Sequence, residues 1–163
     1  MEVLEKEIEQ LLEQGIVPGL AMVRVGRLPE HVECMEKAEA FGKSVGVVIE
    51  KYIFPEKCDE TDLMDVLEVI NDDPQIHGIL LLEPLPDDMS ERRIRGMLNP
   101  AKDLEGLDWG SLAGTDVDSM RKLMEMTVKA AKGQLAISRA MRGLPLLLPV
   151  IKDQHAQFRR LLP

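Results

Sequence analysis

Aromatic residues are scarce: one Trp, one Tyr and three Phe in 163 residues. That shortage excludes a core of stacked rings, so the 45% of hydrophobic residues must pack mainly as Leu, Val, Ile and Met. Cysteine is rarer still. Cys34 and Cys58 belong to no CxxC pair, which excludes a disulfide framework and points to buried or idle thiols in a reducing compartment. No apolar run approaches the ~20 residues that a bilayer requires. The N-terminus mixes Glu with Leu instead of carrying a signal peptide. A cytoplasmic protein with no membrane partner is the expectation.

Basic charge is also missing from most of the chain. Residues 1–120 hold 11 Lys and Arg against 27 Asp and Glu, a net of −16, whereas residues 121–163 hold 9 against 2, a net of +7. Phosphate backbones need a cationic face, so the acidic body excludes general nucleic-acid binding. The basic tail lacks interleaved aromatics and its leucine run points to packing, so no nucleic-acid partner is expected there either. At this length one domain is the natural expectation, with room for a second fragment.

Hydrophobic spacing defines the elements. Leu4, Ile8, Leu11 and Leu12 share one helical face over 2–14, with Gly15 as the stop. Leu20 to Val25 reads as a strand ended by Gly26, and Pro29 opens a helix running to about Ser44. A β-branched strand spans 47–54. Asp59 or Thr61 caps a helix bearing Leu63, Val66, Leu67 and Ile70, ended by Asp72-Asp73-Pro74. A strand follows at 77–82, apolar without alternation from Gly78 to Leu82, as expected of a strand buried on both faces. Pro84 and Pro86 cannot donate to a ladder and end it. Ser90 caps a helix with Ile94, Met97 and Leu98 inward. Asp116 or Asp118 caps another, with Val117, Met120, Met124 and Ala131 on one stripe and Gly133 as its stop.

Strands separated by helices need crossover connections. The predicted fold class is therefore α/β: a three-layer α/β/α domain with a parallel sheet over 1–118, then a helical or irregular C-terminal segment over 119–163. In open parallel sheets ligands bind beyond the carboxyl ends of strands. Glu83 to Pro86 are thereby marked as a site, with Asp103 returning near them after one helix.

Three ordered stretches carry a resemblance: Val17-Pro-Gly-Leu-Ala-Met-Val-Arg-Val-Gly26, Gly78-Ile-Leu-Leu-Leu-Glu-Pro-Leu-Pro86 and Pro100-Ala-Lys-Asp-Leu-Glu-Gly106. They are similar to the PGLAxxxVG, GILVQLPLP and PxKDVDG segments of the bifunctional methylenetetrahydrofolate dehydrogenase/cyclohydrolase family, in its catalytic domain. The resemblance implies one-carbon folate chemistry with NADP or NAD as the family's cofactor. It also implies a folate-type small molecule as ligand, with Asp103, Pro84 and Leu85 as its binding residues. In the family, a lysine on the helix after the first strand transfers the proton that opens the methenyl ring. A tyrosine on that helix, in an SxxYxxxK-like pattern, and a glutamine in the GILVQLPLP strand accompany it.

Counted from Val25-Gly26 without gaps, the serine place falls on His31, the tyrosine on Cys34, the lysine on Ala38 and the glutamine on Leu82. Alanine has no titratable proton, so no catalytic residue carries over. Lys37 is the one candidate, a residue early and about 100° away around the helix. Glu105 keeps the charge of the family's second aspartate, and Glu83 is a new carboxylate. His31 and Cys34 are too few for a metal site. Gln134 to Pro145 faintly resembles the family's first nucleotide-domain strand and its GRSxxVGxP turn, one residue short. Only 18 residues remain after Pro145, so this chain is expected to bind no nicotinamide cofactor itself. Two functional readings stand: a catalytically impaired family member, or a degenerate folate-binding or protein-interaction module without activity. A homo-oligomer is left open.

Overall fold

A computed structural model of the chain describes residues 2–104 and 114–142. The elements run α1 (Glu2–Glu13), β1 (Gly19–Val25), α2 (Pro29–Val45), β2 (Val48–Phe54), α3 (Glu60–Asp72), β3 (Gly78–Leu81), α4 (Glu91–Gly96) and α5 (Val117–Arg142). The three strands form one parallel sheet in the order β2-β1-β3. Val25 lies opposite Phe54, and Val23 opposite Leu81, so the carboxyl ends of all three strands gather at one edge. The expected parallel α/β architecture is the one observed.

Central β1 is buried on both faces because helices cover each side. Ala21, Val23 and Val25 join Ile79 and Leu81 beneath α3 and α4, where Leu63, Leu67, Ile70, Ile94 and Leu98 complete one core. Opposite faces of a strand alternate, so Leu20 and Met22 point the other way. On that side Ile49 lies under Gly42 of α2, and Ile8 of α1 reaches Gly46. The edge strand β2 alternates in exposure and leaves Val48 and Ile53 about half exposed.

Local chemistry sets the boundaries. Gly46 ends α2 at φ 100° while its N–H donates to the Gly42 carbonyl at 2.8 Å; a left-handed cap of this kind favours glycine. Gly19 opens β1 where a Cβ would collide with the Gln75 carbonyl oxygen. Ser90 caps α4 by accepting from the Arg93 N–H at 3.2 Å. Asp116 caps α5 by accepting from the Ser119 N–H at 2.8 Å.

The C-terminal helix corrects two expectations. Gly133 does not stop it, and Gln134 to Arg142 form helix where a nucleotide-domain strand and its turn were expected to begin. A mid-helix glycine costs only about 1 kcal/mol, and Gln, Leu, Ala, Arg and Met around it favour helix. The rest of that motif, Gly143 to Pro145, lies outside the described residues, as does Glu105. Val117 is exposed, one turn before the packed stripe of Met120, Leu123, Met124, Thr127, Val128 and Ala131 begins. By its packing the chain divides after Ala131, with Lys132 beginning a second unit. Among the described residues no helix is long and apolar enough to cross a membrane.

Candidate functional site

The chain leaves β1 toward β2 on one side of the sheet and reaches β3 on the other. The gap between β1 and β3 at their carboxyl ends is therefore the topological switch point, where open α/β sheets place ligands. Leu82 still donates to the Val23 carbonyl at 2.9 Å, and the backbone then turns through the cis Glu83–Pro84 peptide.

Three side chains from two helices hold that turn. His31, in the first turn of α2, places Nε2 3.0 Å from the Glu83 carbonyl oxygen. Glu91, the first residue of α4, accepts the Leu85 N–H at 2.7 Å. Arg95, near the end of α4, donates through Nε to Glu83 Oε1 at 2.9 Å, and its terminal nitrogen lies 2.7 Å from the same oxygen. The other terminal nitrogen of Arg95 reaches Asp103 Oδ1 at 3.4 Å.

Asp103 arrives at the site by backbone pairing. The Ile79 N–H donates to the Lys102 carbonyl at 2.7 Å and the Leu104 N–H to the Ile79 carbonyl at 3.2 Å, extending the parallel sheet by one bridge. Lys102 itself is buried and donates to the Asp73 carbonyl at 2.7 Å, at the carboxyl end of α3. That geometry suits a cation, because the last carbonyls of a helix carry partial negative charge. Opposite the site, at the amino ends of the strands, His77 Nδ1 accepts the Gly19 N–H at 3.1 Å. Burial first, and then the Lys102 ammonium, push its pKa down.

Of the sequence-predicted residues, Asp103 and Glu83 are brought together, joined by Arg95. Pro84 is exposed beside them, whereas the Leu85 side chain is buried in the core beneath α3 and α4. The α2 positions sort by face. His31, Cys34 and Ala38 are buried on one side of the helix, and Ala38 is fully inaccessible. Leu82 is buried as well. Burial, and secondarily the Glu33 carboxylate, raise the Cys34 pKa and hold it as the thiol. Lys37 turns outward: it is half exposed, pairs with Glu33 at 2.9 Å and lies 3.5 Å from the Thr115 hydroxyl. Hollows flank the sheet among the described residues. One of about 460 Å³, lined by Gly26, Arg27, Ile53, Phe54, Pro55 and Glu56, lies at the carboxyl ends of β1 and β2. One of about 340 Å³ lies at the amino ends beside His77. Neither is lined by Glu83 or Asp103.

Sequence reasoning missed Arg95 and Glu91, and took His31 only as the occupant of the family's serine place and as an insufficient metal ligand. Among the described residues no cluster of His, Cys, Asp and Glu is arranged to hold a metal. A carboxylate newly placed at a strand end was the one signal for Arg95, because a half-buried charge needs a counter-ion.

A parallel α/β domain with an acidic site beyond the strand ends is the class defined by this geometry. Comparison with known proteins narrows it. Residues 1–105 match the catalytic domain of tetrahydrofolate dehydrogenase/cyclohydrolase. The chain is 35% identical over 105 residues to the bifunctional protein FolD of Bacillus velezensis, covering 64% of this chain and 37% of that one. It is 38% identical over 104 residues to FolD of Nautilia profundicola, covering 63% and 36%. The crystal structure of FolD from Campylobacter jejuni superposes with a TM-score of 0.61 at 29% identity, covering 68% of this chain and 40% of that chain. The chain belongs to the bifunctional methylenetetrahydrofolate dehydrogenase/cyclohydrolase family of folate one-carbon metabolism, and spans well under half the length of these relatives.

Proposed function

We propose that this chain is a folate-binding member of its family whose ring-opening chemistry is impaired. Asp103, paired to Arg95 and bordered by exposed Pro84, is the ligand-facing carboxylate. Leu85 supports the turn from beneath through its side chain and through its N–H to Glu91. The site is assigned to residues 1–118, with 119–163 serving as linker helix and tail.

One observation carries the reading of impairment. The position that answers to the family's lysine is Ala38, fully inaccessible on the helix face it shares with His31 and Cys34. Lys37, one residue earlier, turns outward to pair with Glu33. Loss of a positioned general acid/base typically removes ~10² to 10⁴ in rate. Nicotinamide binding by this chain is not expected either, since residues 134–142 continue α5 where a nucleotide-binding strand and turn would stand.

The purified chain is tested with 5,10-methenyltetrahydrofolate, following loss of its absorbance. Hydrolysis at the buffer rate is expected, with thermal stabilisation by tetrahydrofolate that Asp103→Ala abolishes. Turnover far above buffer that Lys37→Ala removes would overturn the reading.

A further inference from the structure

His31 carries an atom that the fold leaves unsatisfied. The residue is 4% exposed. Its Nε2 lies 3.0 Å from the Glu83 carbonyl oxygen, and a carbonyl can only accept, so the ring hydrogen sits on Nε2. In the neutral ring Nδ1 is then a bare acceptor. Among the described residues Nδ1 is buried and has no hydrogen-bond partner. Buried polar atoms are almost always paired, and an orphan costs free energy that a ligand donor would recover. The residue is anchored to the strand-end turn whose Glu83 shares Arg95 with Asp103.

The geometry points to His31 Nδ1 as a ligand-binding acceptor of this site, taking an N–H from a bound nitrogen heterocycle of the pterin type. This rests on the folate reading above and deepens it. A bare imidazole nitrogen can only accept, so it favours a ligand edge that presents an N–H donor. Aliphatic carboxylates and phosphates, which present only acceptors, are disfavoured. Nothing in the residue pattern announced this role, because the family's serine place here holds a histidine whose second nitrogen is consumed by the backbone.

The test uses the full chain labelled with ¹⁵N-histidine and 5-formyltetrahydrofolate as probe, with binding followed separately by calorimetry. Of the three histidines, the His31 signals are assigned by their loss in His31→Gln. That variant also separates the two nitrogens. The Gln amide nitrogen reproduces Nε2 and keeps the Glu83 bond, while the acceptor at Nδ1 is gone. The expected result is an Nε2–H tautomer in the free protein, an Nδ1 resonance that moves toward hydrogen-bonded values on binding, and binding about tenfold weaker in His31→Gln with unchanged thermal stability. Binding with an unmoved Nδ1 resonance, or equal affinity in His31→Gln, would overturn the inference and leave the folate reading intact. An Nδ1–H tautomer in the free protein would overturn it as well. Absence of any 5-formyltetrahydrofolate binding in the unmodified chain would bring down the folate reading and this inference together.

Discussion

Arg95 joins two carboxylates that are 20 positions apart in the chain, lying 2.7 Å from Glu83 and 3.4 Å from Asp103. The uneven distances matter. Glu83 is the nearer partner of the guanidinium, and Asp103 the more distant one. The cluster is partly screened, with side chains between 13% and 30% exposed, so it is worth less than a fully buried pair.

Replacing Arg95 by Met should therefore cost only about 1 kcal/mol of stability, seen as a lower urea midpoint with an unchanged m-value. The apolar stem of Met keeps the packing of Arg, so the loss reports the charge contacts. A loss above about 3 kcal/mol would mean that the cluster supports the core.

Lys37 and Ala38 should respond in opposite ways to substitution. Lys37→Ala removes an exposed pair and should stay within about 0.5 kcal/mol of the unmodified protein. Ala38→Lys forces an unpaired ammonium and a long stem into a fully buried position, and should cost about 3 kcal/mol or more. Urea denaturation of both variants checks the helix register. A well-tolerated Ala38→Lys would show that this face has room for the family's lysine.

Stability should fall with acid through His77. Its folded pKa is lowered from 6.5 by burial and by Lys102. The unfolded chain therefore takes up the proton first, and stability present above pH 6.5 is lost as pH falls through the folded value. Protonation also removes the acceptor that holds the Gly19 N–H. Melting temperatures measured from pH 7.5 to 5 should drop less steeply for His77→Gln than for the unmodified protein.

The two thiols should differ in reactivity. Both pKa values are raised, chiefly by burial, but Cys34 is almost inaccessible while Cys58 is half-buried at the start of α3. A disulfide-exchange reagent at pH 8 should modify Cys58 first, with Cys34 following only on opening of the fold. Equal rates in Cys34→Ala and Cys58→Ala would contradict the placement of α2.

By itself the sequence determined the three parallel strands, because unbroken apolar runs such as Ile79 to Leu82 between amphipathic helices admit few other arrangements. It also placed Asp103 beside the proline-ended strand, since one crossover helix leaves a returning chain little choice of position. These are local periodicities plus chain connectivity, and both are written in consecutive residues. Tertiary structure alone decided the rest. Whether Lys37 or Ala38 faces the sheet turns on the angular setting of one helix, which the tight approach of Gly42 to Ile49 fixes. The helix passes through Gly133 because its neighbours outweigh a cost of about 1 kcal/mol, a balance that no single residue announces. Arg95 finds Glu83 across 12 positions, and His31 finds the Glu83 carbonyl across 52. Such pairings belong to no repeating pattern, and they exist only once the sheet has brought its strand ends together.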